Sequence, residues 1–291
     1  MAPRNRLAST CITRRRFLAT ASAVGLSPGI ALNTACAPND DFPAAARALR
    51  HPLRDSAEPV VLLQELVRCA TLAPNGHNTQ PWIFEGAPDR VFMRPDFSRR
   101  TPIVDPDDHH IWVSLGCAAE NMVIAAAALG RHAEVQFDPQ RIEVTLESTP
   151  PVSSPLVDAI FQRQCTRAEY DGRPLSSDAL RELERAADRV GVRLLLLTDR
   201  ARIEGVIEYV TQGNSAQMQD PAFVAELKRW IRFDDSQAIL TGDGLAARSS
   251  GNPSLPSWLG IGSQRPDLVV RLGHGPLLPY SLRRPAAAVI V

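Results

Sequence analysis

Ala73-Pro74-Asn75-Gly76-His77-Asn78-Thr79-Gln80-Pro81-Trp82-Ile83-Phe84 is the stretch on which the fold of this chain turns. Before it, Val60 to Leu72 carries apolar residues at helical spacing, and Pro74 and Gly76 stop that helix. After it, Pro81 to Glu85 alternates as a strand does. The connector itself is a tight, amide-rich turn. Its backbone N–H groups and the amides of Asn75, Asn78 and Gln80 converge, and such groups read the edge of a flat heterocycle by donating and accepting together. Pro74 and Pro81 restrict the turn, and Trp82 anchors it in the core. The residues alone leave a second reading open, an ordinary helix–strand connection.

Working outward, Val91 to Arg94 pairs with the first strand through a turn at Gly86 to Asp89. Asp105 to Asp108 is an acidic helix start, suited to the positive end of a helix dipole. Ile111 to Leu129 is apolar almost all round and predicts a central buried helix, with Glu120 and Asn121 as polar exceptions. Strands follow at Ala133 to Phe137 and Ile142 to Leu146, and a Pro/Ser linker at Thr149 to Pro155 marks the midpoint. Beyond it the pattern predicts helices near Leu156 to Arg163, Asp178 to Val190, Ile203 to Met218 and Ala222 to Ile231. Strands are expected at Val192 to Thr198, Leu268 to Leu272 and Ala286 to Val291, and a long loop at Thr241 to Gly262. Residues 38–56, rich in Pro and Ala, are expected to wrap the surface. Leu63 to Ala70 and Leu180 to Ala187 share the pattern L-x-E-L-x-R-x-A. Good helix formers recur by chance, and two related halves would also produce the echo.

The A-P-x-x-x-N-x-Q-P-W-x-F pattern of residues 73–84 resembles the signature of the FMN-dependent nitroreductase family. More narrowly, the chain is similar to the Acg-type branch, in which a single chain mimics the usual dimer. Trp112 to Asn121, Leu227 to Phe233, Thr241 to Leu245 and Gly273 to Pro285 extend the likeness over about residues 57 to 291. The resemblance implies an α+β nitroreductase-like fold of two related halves, 38–150 and 151–291, each a small sheet flanked by helices. It implies bound FMN, with Pro74, Asn75, Asn78 and Gln80 near the isoalloxazine or ribityl; Asn75 replaces the commoner Ser. Arg163-Gln164-Cys165-Thr166-Arg167 resembles the family's R-x-S-x-R phosphate-binding stretch, with Tyr170 in the aromatic position and Cys165 in place of Ser. Two guanidiniums on one turn form a multi-donor clamp suited to a phosphate monoester, and a solvated helix end with surface arginines is the plainer reading. Arg283 and Arg284 resemble C-terminal basic residues that also approach the phosphate.

The activity so implied passes electrons from NAD(P)H through the flavin to a small-molecule oxidant, with no catalytic side chain needed. Acg-type chains carry a further helix and a flavin-facing segment after the counterpart of Trp258-Leu259-Gly260. Here Gly260 runs through Ile261 to Gln264 directly into Arg265, so the second half reads as shortened by a deletion near 260–265. That departure keeps two alternatives in play: a non-enzymatic FMN-binding or FMN-sequestering protein, and a degenerate chain that no longer holds flavin.

Residues 1–37 resemble a twin-arginine export signal, with a basic start including Arg14 to Arg16 and then a mild apolar run from Phe17 to Leu32; a chance basic amphipathic helix is the plainer reading. Ser22, Ser27, Pro28 and Gly29 make that run a poor membrane span. The expected location is the periplasm or cell envelope, after cleavage at Ala35-Cys36-Ala37 or with a lipid on Cys36. Charge is balanced, with 32 basic and 32 acidic residues, and no like-charge block points to nucleic acid. Five cysteines without a C-x-x-C pair give little support for a disulfide framework or zinc site; Cys69 and Cys117 sit on apolar helical faces and read as core. His109 and His110 are adjacent, point about 100° apart on a helix, and seldom share one ion. No G-x-G-x-x-G, G-x-S-x-G or P-loop stands in the needed context. The oligomeric state, including a homo-oligomer, stays open.

Overall fold

The computed structural model describes residues 10–12, 42–165, 173–189, 191–246 and 288–290. These fall into two compact units, residues 1–165 with 230–246, and residues 166–229 with 247–291. The architecture is α+β, with a small antiparallel sheet flanked by helices.

The sheet of the first unit has the order β1-β2-β3-β5-β4, from Thr10–Ile12 (β1), Trp82–Ala87 (β2), Arg90–Pro95 (β3), Arg131–Asp138 (β4) and Arg141–Ser148 (β5). All its pairings are antiparallel, as hairpins and meanders give. β1 falls within the stretch read as an export signal and lies along β2, with Thr10 opposite Gly86. β4 and β5 meet at a turn where Asp138 Oδ1 accepts from the Gln140 and Arg141 amides, a short carboxylate standing in for a backbone acceptor. Val91 and Met93 on β3, and Ile142, Val144 and Leu146 on β5, alternate inward as a half-buried sheet requires.

Helices cover that inward face. Phe42–Leu49 is α1, Pro59–Thr71 is α2, His109–Ala128 is α3, Pro155–Gln162 is α4 and Asp235–Thr241 is α8. α2 packs on α3, and their buried faces meet Phe84, Val91, Met93 and Val144 in one apolar core. Asn121 Nδ2 donates to the Cys69 carbonyl at 3.0 Å, which satisfies the amide and ties the two helices. Burial pushes the Cys69 thiol up to about 12, so this cysteine is an inert core residue. α3 ends at Gly130, whose φ of +67° closes the helix in the left-handed region; a Cβ there would stand 2.8 Å from the Thr149 carbonyl.

Several expectations change, among them the long loop expected from Thr241, where the end of α8 and a short strand at Leu245–Ala246 stand because that stretch is held against neighbouring segments. The 38–56 segment is not simply a surface wrap: α1 forms, and its last residue, Leu49, packs against the core. α3 is not buried all round, because one sheet and two helices cover only part of it; Val113, Gly116 and Glu120 form an exposed stripe.

The second unit contains α5 (Ser177–Ala186), β6 (Leu195–Leu197), α6 (Arg200–Gln219) and α7 (Pro221–Trp230), whose last residue belongs to the first unit. Ser176 and Asp199 cap α5 and α6, their side chains accepting from the Ala179 and Arg202 amides. β6 pairs antiparallel with β9 (Ala288–Ile290). α5 stops at Ala186, short of the expected Val190. Expected features at 247–272, including the deletion near 260–265, lie outside the described residues.

The repeated L-x-E-L-x-R-x-A pattern has two fates. In α2, Arg68 Nη2 meets Glu65 Oε2 at 2.6 Å with both side chains under a tenth exposed. The same guanidinium donates to the Leu49 and Pro52 carbonyls and lies 5.1 Å from the Phe161 ring centre, while Glu65 accepts from the Arg54 amide. In α5 the corresponding Arg185 and Glu182 sit 3.8 Å apart in solvent. Leaving a buried carboxylate without its partner costs about 3–5 kcal/mol, against roughly 0–1 kcal/mol for an exposed pair. Denaturant unfolding should therefore show Arg68→Ala destabilised by several kcal/mol and Arg185→Ala nearly unchanged; equal losses would remove this distinction.

Candidate functional site

The connector folds as a single 3₁₀ turn, Gly76–Asn78, between α2 and β2. Asn75 ties it off: its Oδ1 accepts from the Gln80 amide at 2.8 Å and its Nδ2 donates to the Ala73 carbonyl at 3.1 Å. The turn carries backbone strain. His77, Asn78 and Gln80 have φ of +48°, +52° and +54°, a region that non-glycine residues rarely enter. Such strain persists where surrounding contacts over-determine it, and it concentrates at functional sites.

Those contacts come from Gly242 to Gly244, between α8 and the short strand Leu245–Ala246 (β8), which runs parallel to Ile231–Arg232 (β7). Asn78 Nδ2 donates to the Gly244 carbonyl and the Gly244 amide donates back to the Asn78 carbonyl, both at 2.9 Å. Gln80 Nε2 donates to Asn78 Oδ1 and to the Gly242 carbonyl, both at 3.1 Å. Two acceptors facing one nitrogen settle which end of the Gln80 amide is which. Gln80 Oε1 is then left buried with no partner among the described residues. Gly244 takes φ of +77°, and a Cβ there would approach the Trp230 carbonyl to 2.5 Å, so only glycine fits.

Asp243 locks the arrangement. Arg232 reaches its Oδ1 with Nη2 at 2.6 Å and Nε at 3.1 Å. Arg99, from the 3₁₀ turn Phe97–Arg99, donates to Asp243 Oδ2 and to the Thr79 carbonyl. Both guanidiniums lie over the Trp230 ring, at 5.5 Å and 5.9 Å from its centre. Burial pushes the Asp243 carboxyl up, but hydrogen bonds and charge from Arg232, with help from Arg99 and Thr241, outweigh it and hold the group below its ordinary 3.8.

Beside this turn opens a cavity of about 1010 Å³, within the range of small-molecule and cofactor sites. Asn78, Gln80 and Arg163 line it together, with α1, α2 and the Gly242–Gly244 loop. Arg163 follows α4; its Nη2 donates to the Leu72 carbonyl at 2.9 Å, and its Nη1 lies 3.6 Å from Cys165 Sγ. Its Nε is buried without a partner among the described residues. Pro74 and Asn75 shape the turn but do not line the cavity. Gln164 and Cys165 are exposed and outside its lining. Arg167, Arg283, Arg284 and Tyr170 lie outside the described residues.

Asp105, expected at a helix start, stands at the foot of α3. Its carboxylate accepts from the His110 and Ile111 amides and from His110 Nδ1 at 2.9 Å. Burial raises that carboxyl, and these bonds prevail to hold it low. Asp105 and His110 therefore serve the helix terminus. Arg99, Arg232 and Asp243 brace the turn, and of these Arg232 and Asp243 fall in the stretches Leu227 to Phe233 and Thr241 to Leu245 that extend the likeness, whereas no local pattern marks Arg99.

Asp243→Asn should cost about 2–4 kcal/mol at neutral pH, because two partly buried guanidiniums lose their counter-charge. A depressed folded-state pKa contributes stability above the ordinary carboxylate range, and that stability is lost as pH falls through the folded value. The gap between wild type and variant, followed by denaturant unfolding, should thus be full at pH 6–7 and close below about pH 4. Curves that stay parallel to pH 3 would refute the linkage.

No family model matches the chain. Two Mycobacterium tuberculosis proteins, from strains CDC 1551 and H37Rv and each named "Putative NAD(P)H nitroreductase", are 28% identical to it over 206 residues, 67% of this chain and 57% of theirs. The chain thus spans little more than half the length of the curated relatives it matches. This likeness, with the α+β fold above, supports a nitroreductase-like relationship.

Proposed function

We propose that the chain is an FMN-dependent oxidoreductase of nitroreductase type, taking electrons from NAD(P)H and passing them to a small oxidant. The observation that carries this reading is the shared cavity, which Asn78, Gln80 and Arg163 line together. The donor set fits a flavin nucleotide. Gln80 Oε1 is a buried acceptor still lacking a hydrogen, which the edge of a flat N–H-bearing heterocycle supplies. Arg163 Nε is a buried donor still lacking an acceptor, which a phosphate oxygen supplies. Each orphan would otherwise cost about 1–3 kcal/mol.

The flavin, when bound, supplies the redox chemistry itself. The chain's own residues hold and orient it. The strained turn holds Asn78 and Gln80 on a backbone clamped by Gly242 to Gly244, with their side-chain nitrogens engaged there and Gln80 Oε1 left as the acceptor without a partner. Arg163, braced on the Leu72 carbonyl, is likewise pre-placed. In the same reading Arg167 and Arg283 add charge at the phosphate, Pro74 and Asn75 keep the turn's shape, and Gln164 and Cys165 belong to the loop that carries Arg163. We also place the protein in the cell envelope, exported by the twin-arginine route on the strength of Arg14 to Leu18, and read its two halves as related.

A second reading of the same cavity is FMN storage without turnover. Protein purified without added flavin should be yellow, and anaerobic NADPH or NADH should bleach it. Colour that neither nucleotide bleaches would replace the oxidoreductase with the storage protein; colourless protein that takes up no added FMN would end both.

A further inference from the structure

We propose that Arg50, directly after α1, is the second guanidinium of a phosphate-binding clamp whose first member is Arg163. The inference rests on the flavin-nucleotide reading of the cavity and adds a residue that the R-x-S-x-R resemblance does not contain.

Arg50 and Arg163 both line the cavity. Arg50 Nη1 donates to the Arg163 carbonyl at 2.7 Å and to the Phe161 carbonyl at 2.8 Å, which fixes one guanidinium against the loop that bears the other. Of the other charged groups of that wall, Glu65 and Arg68 hold each other and Asp243 is held by Arg99 and Arg232, while Arg54 also lines the cavity and gives only its backbone N–H to Glu65. Arg50 and Arg163 make no ion pair with a carboxylate among the described residues; they donate to backbone carbonyls, and Arg163 also to the Cys165 sulfur. Burial, then the charge of Arg163, pull the Arg50 pKa down, which is the mark of a cation in an unfavourable field. Arginine does not escape such a field by losing its proton. An anion between the two groups relieves it, and Arg163 Nε is a buried donor awaiting an acceptor. Two planar forks from different segments lining one cavity suit the several oxygens of a phosphate monoester better than a single carboxylate.

A purely structural strap is the rival, because Arg50 ties the end of α1 to the end of α4. FMN and riboflavin share every group except the phosphate, so their binding to the full chain, read by quenching of flavin fluorescence, separates the two. Arg50→Gln should weaken FMN binding roughly tenfold to a hundredfold, the scale of one charge-assisted hydrogen bond, and leave riboflavin binding unchanged. Arg50→Lys keeps a donor for the carbonyls and serves if the Gln variant does not fold; it should show a smaller loss, confined to FMN. Equal losses for both flavins would make Arg50 a strap, and undiminished FMN binding would remove it from the site. Wild-type protein that holds FMN no more tightly than riboflavin would overturn the clamp while sparing the flavin reading. Wild-type protein that binds neither would overturn both.

Discussion

A single carboxylate shared between two guanidiniums holds the candidate site in shape. Asp243 is reached by Arg232 from β7 and by Arg99 from the turn after β3, and both arginines lie over Trp230. Through this carboxylate the Gly242–Gly244 loop is pinned against residues 78–80. The strained backbone of His77, Asn78 and Gln80 is stable only because those contacts over-determine it. An isolated helix–strand connector would relax into ordinary φ values and lose the arrangement of its amides.

The cavity beside the turn follows one electrostatic pattern. Groups that serve the fold are paired: Glu65 with Arg68 under α1 and α4, and Asp243 with its two arginines. Arg50 and Arg163 are instead braced by backbone carbonyls, which position a guanidinium without cancelling its charge, and Arg54 likewise has no ion pair among the described residues. Carbonyl bracing limits the rotamer freedom lost when a ligand arrives, and the charge stays available to it. On the amide side, Gln80 Oε1 is the complement, an acceptor kept dry and unfilled. Both features cost stability in the protein as it stands.

The two copies of L-x-E-L-x-R-x-A show why a local pattern under-determines its role. Both form helices, as their composition demands. In α2 the Glu and Arg are buried beneath Leu49, Pro52 and Phe161 and act as an internal strut; in α5 the same pair is solvated. Identical spacing gives identical local geometry, but what lies overhead decides whether that geometry carries several kcal/mol or almost none.

By itself the sequence determined the order of elements, because hydrophobic period and turn residues act over a few positions. The helix before Leu72, the amide turn, the β2–β3 and β4–β5 hairpins, the apolar α3 and the capped helices of the second unit were all legible in this way. It also marked Asn78, Gln80 and Arg163 as candidates. Helix α1 and the exposed stripe of α3 were not legible, since burial depends on neighbours distant in sequence. Only the tertiary structure decided that residues 78–80 meet 242–244, that Arg99 and Arg232 converge on Asp243, and that Arg50 stands beside Arg163. Those meetings span gaps of roughly one hundred residues or more, or depend on a shared aromatic floor, and no periodicity reaches that far.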